Sequence, residues 1–203
     1  MIAIIDYGRG NLFSVEKAFV KLGADVIVTN DIEKIRRADK VVLPGVGAFG
    51  DCMETLKKAG LIPVIQEAAT SGKPFLGICL GLQLLFERSE ESPGVAGLGI
   101  FKGAIRQIVA PKLKVPHMGW NSLSLKNATS LLKGLPENPY VYFVHSFHAV
   151  PEDASIITAV TEYGSSLTAA VGKGNVQAMQ FHPEKSSSVG LKILESFVKN
   201  KAV

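Results

Sequence analysis

The sequence is poor in the features that mark several common protein classes. It has two cysteines in 203 residues, Cys52 and Cys79, and no C-x-x-C spacing. That excludes a disulfide framework and a cysteine-rich zinc site. Its longest apolar stretch, residues 75–86, is interrupted by glycines and a glutamine and falls short of the ~18 residues a membrane span requires. The opening Met1-Ile2-Ala3-Ile4-Ile5-Asp6 lacks the basic flank and the long apolar core of a secretory signal. Charge of one sign is scarce too. The formal net charge is +4, and the only close basic group, Lys34, Arg36 and Arg37, falls on an amphipathic stretch, where it reads as a solvated face rather than a nucleic-acid footprint. Gly8-Arg9-Gly10 lacks the third glycine of a dinucleotide fingerprint, and no phosphate loop or metal-ligand spacing occurs. The expectation is a cytoplasmic globular protein without metal, cofactor, nucleic-acid partner or membrane partner. The length and a hydrophobic content of 47% favour one domain over residues 1–203 with a sizeable core.

What is present begins with an alternation of strands and helices. Continuous apolar runs at 2–5, 25–29, 40–43 and 75–79 predict strands, and amphipathic stretches between them predict helices. Asn11 or Ser14 is placed to cap the first helix, Asp31 the second, and further helices are expected at 49–59 and 61–71. Apolar strands each followed by a helix point to a parallel sheet covered on both faces. From about Gly97 the pattern changes to segments rich in Val, Ile, Thr and Tyr, at 99–109, 121–125, 140–148, 156–162, 167–173 and 175–181. These predict an added antiparallel or mixed β part, with a hairpin at 172–175 and a final helix at 188–199. The fold class expected is α/β, a mostly parallel central sheet flanked by helices.

One corner of this pattern carries chemistry. Gly77-Ile78-Cys79-Leu80-Gly81 places a cysteine where an apolar strand turns into a helix, with glycines two residues away on each side. A residue at such a corner is strained and exposed, and side chains at the flanking positions would keep strand and helix apart. Unpaired N–H groups at the start of the helix favour negative charge and can stabilise a developing oxyanion. The plain alternative is a cysteine that fills the core. Cys52, without such a corner, is expected to be a packing residue.

A second segment, Gln177 to Phe181, runs into His182-Pro183-Glu184. Alternate residues of an extended segment project to one side, so His182 and Glu184 can meet while Pro183 points away. Proline restrains both itself and the residue before it. A carboxylate on one imidazole nitrogen fixes the tautomer and leaves the other nitrogen free as a base. Catalytic groups in parallel sheets gather at the carboxyl ends of strands, where Cys79 and Pro44-Gly45-Val46-Gly47 both fall.

The cysteine corner with a distal His-Pro-Glu resembles the class I (triad) glutamine amidotransferases, which have a flavodoxin-like fold. Three further motifs, Asp6-Tyr7-Gly8-Arg9-Gly10-Asn11, Pro44-Gly45-Val46-Gly47-Ala48-Phe49-Gly50 and Pro116-His117-Met118-Gly119-Trp120-Asn121, together with His182-Pro183-Glu184-Lys185-Ser186, are similar to the glutaminase-subunit family of imidazole glycerol phosphate synthases, from histidine biosynthesis. The resemblance implies that Cys79 attacks the side-chain amide of glutamine, that His182 moves the proton and that Glu184 orients His182. It implies an oxyanion hole made by the Leu80 N–H and a main-chain N–H of the Val46-Gly47 loop. It places Gln83, Gly47, His145, Ser146 and Phe147 around the substrate. It further implies that ammonia passes to a cyclase (β/α)₈-barrel subunit as heterodimer, with Pro116, Met118, Trp120, Asn121 and Lys185 at the contact. Trp120 as a core anchor and Gln83 as an ordinary polar helix residue are the bland alternatives, and His117 and His148 are expected to be structural or interface groups. At the level of function, the alternatives are a glutaminase for another synthase or a non-catalytic regulatory subunit on the same fold.

Overall fold

The computed structural model describes residues 1–126 and 131–200. Its first half is β1 (Ile2–Ile5), α1 (Leu12–Lys21), β2 (Val26–Thr29), α2 (Ile32–Arg37), β3 (Lys40–Gly45), α3 (Phe49–Lys58), α4 (Ile62–Thr70), β4 (Phe75–Cys79) and α5 (Leu80–Leu84). The second half adds β5 (Arg88–Ser89), β6 (Gly103–Gln107), β7 (His117–Ser122), β8 (Ser124–Leu125), β9 (Tyr140–His145), β10 (Phe147–Pro151), β11 (Ile157–Glu162), β12 (Ser166–Lys173), β13 (Val176–Met179) and α6 (Ser187–Lys199). The main sheet has the order β2-β1-β3-β4-β13-β12-β11-β8. Its first five strands run parallel in the doubly wound order, and β12, β11 and β8 continue it antiparallel.

Alternation along β1 shows why the sheet is layered. Ile2 and Ile4 pack on one face with Val15 and Phe19 of α1 and Ile193 and Phe197 of α6. Ala3 and Ile5 pack on the other with Ile35, Phe49, Leu56 and Ile65 of α2, α3 and α4. Both faces are dry, as continuous apolar strands require. Asp31 caps α2 as expected, its Oδ1 accepting from the Glu33 and Lys34 N–H groups. Asn11 sits at the N-cap of α1 but makes no side-chain capping bond.

The β-rich half differs in detail from its sequence pattern. The run at 140–148 is two strands, broken at Ser146, whose carbonyl accepts from the Ile108 N–H as the chain leaves β7 and joins β6. The strand expected at 121–125 is two strands, one that begins earlier, His117–Ser122, and a short one, Ser124–Leu125, in a different sheet. The run at 99–109 is strand only over Gly103–Gln107, because residues 97–101 are instead tied to the carbonyls of residues 84–87. The hairpin between β12 and β13 is present, with Lys173 opposite Val176 and Gly174 at φ +57°.

The topology places three strand ends side by side. β4 lies between β3 and β13, all parallel, with Gly45 level with Cys79. The Val46-Gly47 loop, Cys79 and the approach to His182 therefore leave the same edge of the sheet.

Candidate active site

Cys79 sits at φ 54°, ψ −113°, a conformation that non-glycine residues hold only when the surroundings impose it. Close packing on both sides does so here. A Cβ on Gly81 would lie 1.9 Å from the Leu43 carbonyl oxygen. One on Gly77 would lie 3.0 Å from Ala178 Cβ and 3.1 Å from the Gly81 carbonyl oxygen. The flanking glycines let β4 and α5 press against the neighbouring strands and leave the cysteine no relaxed alternative. The helix it opens is short, Leu80–Leu84. The local N–H of Leu80, rather than a long helix dipole, is what this corner offers an oxyanion.

His182 and Glu184 meet, though not by continuing an extended strand. β13 ends at Met179, His182 is extended at φ −98°, ψ 98°, and Pro183–Lys185 form a 3₁₀ turn. Proline is well suited to start such a turn, and the turn brings Glu184 Oε1 to 2.7 Å from His182 Nδ1. The Nδ1–H donates to the carboxylate, which leaves Nε2 as the free nitrogen. Both side chains are almost wholly buried, at 4% and 1% exposure. Among the described residues, His182 Nε2 has no hydrogen-bond partner, and His182 lines the same cavity as Cys79. Burial alone would push the imidazolium down. Hydrogen bonding and electrostatic interaction with Cys79 and Glu184 outweigh it and raise the His182 pKa to about 10. The turn is itself anchored: the Ser186 hydroxyl donates to the His182 carbonyl and accepts from the Tyr142 N–H, and the His182 N–H donates to the Tyr142 carbonyl.

The cavity at this edge is about 310 Å³, lined by Val46, Gly47, Cys79, Leu80, Gln83, Glu91, Pro116, Val144, His145, Ser146, Phe147 and His182. It is small, at the low end for ligand pockets. Every residue expected to be catalytic, to form the oxyanion hole or to bind substrate borders it, except Glu184, which is bound to His182 Nδ1 instead. Gln83 has a more constrained place than its helical spacing suggests. It is buried, and its Nε2 donates to the Phe147 carbonyl and to Gln180 Oε1. It thus holds the far wall of the cavity.

Two residues of the site escape sequence reasoning. Gln180, fully buried, directs its Nε2 at the Cys79 sulfur from 3.8 Å. Its position two residues before His182 is a signal in hindsight. Glu91 accepts from the Phe49 N–H at the start of α3 and is the one carboxylate among the described residues lining the cavity. It comes from a loop with no periodic pattern, so nothing in the sequence marks it.

His117 and His145 form a buried relay behind the cavity wall. His145 Nδ1–H donates to the Phe147 carbonyl, so its Nε2 accepts from His117 Nδ1–H at 3.1 Å, and His117 Nε2 faces Asn121 Nδ2 at 3.3 Å. His117 is stacked between the Phe143 and Tyr163 rings. Burial pushes His145 to about 3 and His117 to about 4, so both are neutral near pH 7. Asn121 is half-buried, and its side-chain amide is taken up in this network and in a bond to the Glu162 carbonyl. The other candidate contact residues face out. Trp120 is 52% and Met118 62% exposed, which removes Trp120 as a core anchor. Trp120 meets Tyr142 edge-on, and Lys185 Nζ lies 5.9 Å from the Tyr142 ring.

Comparison with known proteins agrees with this geometry. Residues 3–201 match the family described as glutamine amidotransferase class-I. The protein from Syntrophotalea carbinolica named imidazole glycerol phosphate synthase subunit HisH is 51% identical, over 97% of this chain and 98% of its own. The protein of the same name from Aquifex aeolicus is 52% identical, over 98% and 96%. Among solved structures, the PurLQS assembly of Thermotoga maritima contains a chain of the same fold, with TM-score 0.75 and 23% identity over 98% of this chain and 97% of that one. The chain belongs to the class I glutamine amidotransferases and, within them, to the HisH family of imidazole glycerol phosphate synthase subunits.

Proposed function

We propose that the whole chain acts as a single glutaminase domain supplying ammonia to a synthase. The observation that carries this is a strained cysteine sharing one small cavity with a histidine whose other nitrogen is bound by a buried carboxylate. The raised His182 pKa favours the imidazolium, which borders the same cavity as Cys79. The Cys79 thiolate attacks the side-chain amide carbon of glutamine. The resulting oxyanion is met by the Leu80 N–H and a main-chain N–H of the Val46-Gly47 loop. His182 gives its proton to the departing nitrogen and ammonia leaves. Neutral His182 then takes a proton from water, which attacks the γ-glutamyl thioester; collapse expels the thiolate and glutamate. Glu91 is placed to pair with the substrate's ammonium group, and the 145–147 wall to hold its carboxylate end. The enzyme works in the cytosol, where a catalytic thiol stays reduced.

The partner is a cyclase (β/α)₈-barrel subunit, docked over the cavity mouth at Pro116, Met118, Trp120 and Lys185. Free ammonia in neutral water becomes ammonium, a poor nucleophile, so a covered route is chemically necessary. Trp120→Ala is expected to weaken this complex about 30-fold or more, the effect of an interface hot spot, while leaving the melting temperature of the free chain unchanged. A titration of one subunit into the other checks it. The function is tested by glutamate release from glutamine, by the chain alone and with a cyclase barrel plus its nucleotide ligand. Stimulation by the complex supports the account; activity indifferent to the barrel points to another synthase.

The same pair sets the pH dependence. A raised folded pKa means that the protonated imidazolium is favoured, so its contribution to stability is complete below pH ~6.5 and is lost as pH rises through about 10. The alkaline limb of kcat/KM is expected near pH 10. Glu184→Gln weakens one of the two interactions responsible and moves that limb to lower pH. A pH–rate profile of both proteins decides this; a limb near 6.5 in the parent would contradict the ion pair.

A further inference from the structure

The oxyanion loop is gripped from beneath by two side chains outside the triad. Cys52, fully buried on α3, places its Sγ 3.4 Å from the Val46 carbonyl oxygen. Tyr7, also buried, donates its hydroxyl to the Pro44 carbonyl at 3.0 Å. Burial pushes both ionisations up, so thiol and phenol keep their protons and act as donors. The packing role expected of Cys52 is therefore incomplete.

The direction of that bond matters. The peptide between Val46 and Gly47 is trans, since the cis bond among the described residues is at Val115-Pro116. In a trans peptide the carbonyl and the N–H point in opposite directions. With the Val46 carbonyl turned down to Cys52, the Gly47 N–H is turned away from the buried face of α3. Gly47 borders the Cys79 cavity and Cys52 does not. Gly47 also stands at φ +97°, a position where glycine has unusual freedom.

We propose that Cys52, assisted by Tyr7, is a positioning residue that fixes the Val46-Gly47 peptide with its N–H toward the oxyanion formed at Cys79. This rests on the glutaminase reading above. Cys52→Ala leaves the carbonyl unheld, whereas Cys52→Ser retains an O–H donor at the same site. In the assembled synthase, Cys52→Ala lowers kcat about 10-fold, less than the about 100- to 1,000-fold of losing an oxyanion donor outright. KM for glutamine stays within about 2-fold, because the lost interaction belongs to the transition state. Cys52→Ser restores most of the rate. Alkylation of Cys79 by iodoacetamide, which forms no oxyanion, proceeds at the parent rate in both variants. The amide signal of Gly47 in a ¹⁵N spectrum of the free chain shifts in Cys52→Ala and stays near its parent position in Cys52→Ser.

An active parent with unchanged kcat and an unmoved Gly47 signal in Cys52→Ala overturns the proposal alone. Parallel loss of turnover and alkylation, not rescued by serine, overturns it in favour of simple packing. A parent complex that releases no glutamate overturns the glutaminase reading, and with it the catalytic meaning of the clamp.

Discussion

Cys79→Ala is expected to lower glutamate release by the assembled enzyme on the order of 10⁴-fold or more, as loss of a covalent nucleophile does elsewhere. Its fold should survive, because the methyl group fits where the thiol was and the neighbouring glycines are untouched. A further substitution separates strain from chemistry. Cys79 holds φ 54°, ψ −113°, a region that costs a non-glycine residue about 1–3 kcal/mol. Cys79→Gly should therefore be at least as stable as Cys79→Ala, reversing the usual cost of glycine within a buried element. Urea unfolding of the two inactive variants measures this. A glycine variant clearly less stable than the alanine variant would show that the corner is relaxed.

Gly81→Ala should be one of the most damaging single-methyl changes among the described residues. The added Cβ falls 1.9 Å from the Leu43 carbonyl oxygen and 2.9 Å from the carbonyl carbon. These are backbone atoms of β3, which is held between β1 and β4, so neither side can yield without opening the sheet. A cost above about 3 kcal/mol is expected, a large part of a domain's marginal stability. Gly77→Ala, with contacts of 3.0–3.1 Å, should cost less. Gly60→Ala meets nothing within 4 Å and carries only the penalty of its φ of +68°, about 1 kcal/mol. Thermal or urea unfolding in that series checks the ranking. Equal stabilities for Gly81→Ala and Gly60→Ala would mean that the strand and α5 are not in contact as described.

How much of this was legible in the sequence depended on the range of the interactions. The parallel strands β1, β3 and β4 are written as local apolar runs, and the corner at Cys79 as two glycines flanking one residue. Those signals need no knowledge of the rest of the chain. The meeting of His182 and Glu184 was legible as well, but by a different route: Pro183 starts a 3₁₀ turn where alternation along a strand was expected. Ser146 illustrates what local pattern cannot show. Its neighbours form an unbroken β-prone run, and the strand breaks only because Ile108, distant in sequence, captures the Ser146 carbonyl. Glu91 and Gln180 were hidden for the same reason, since their roles are defined by the start of α3 and by the Cys79 sulfur. Gln83 borders the cavity, and its amide is taken by Gln180 and Phe147, partners that only the folded chain supplies. Cys79, His182 and Glu184 are marked by local pattern; Gln180 and Glu91, which contact them or their cavity, are not.

The covalent step at Cys79 is the centre of the account, and peptide mass mapping after acid quenching of the complex during glutamine turnover tests it directly. The account predicts a mass increase of one glutamyl group on the peptide carrying Cys79, absent from Cys79→Ala and absent without glutamine. Glutamate formed by a complex that never carries that group, or an adduct on the peptide containing Cys52 instead, would contradict it.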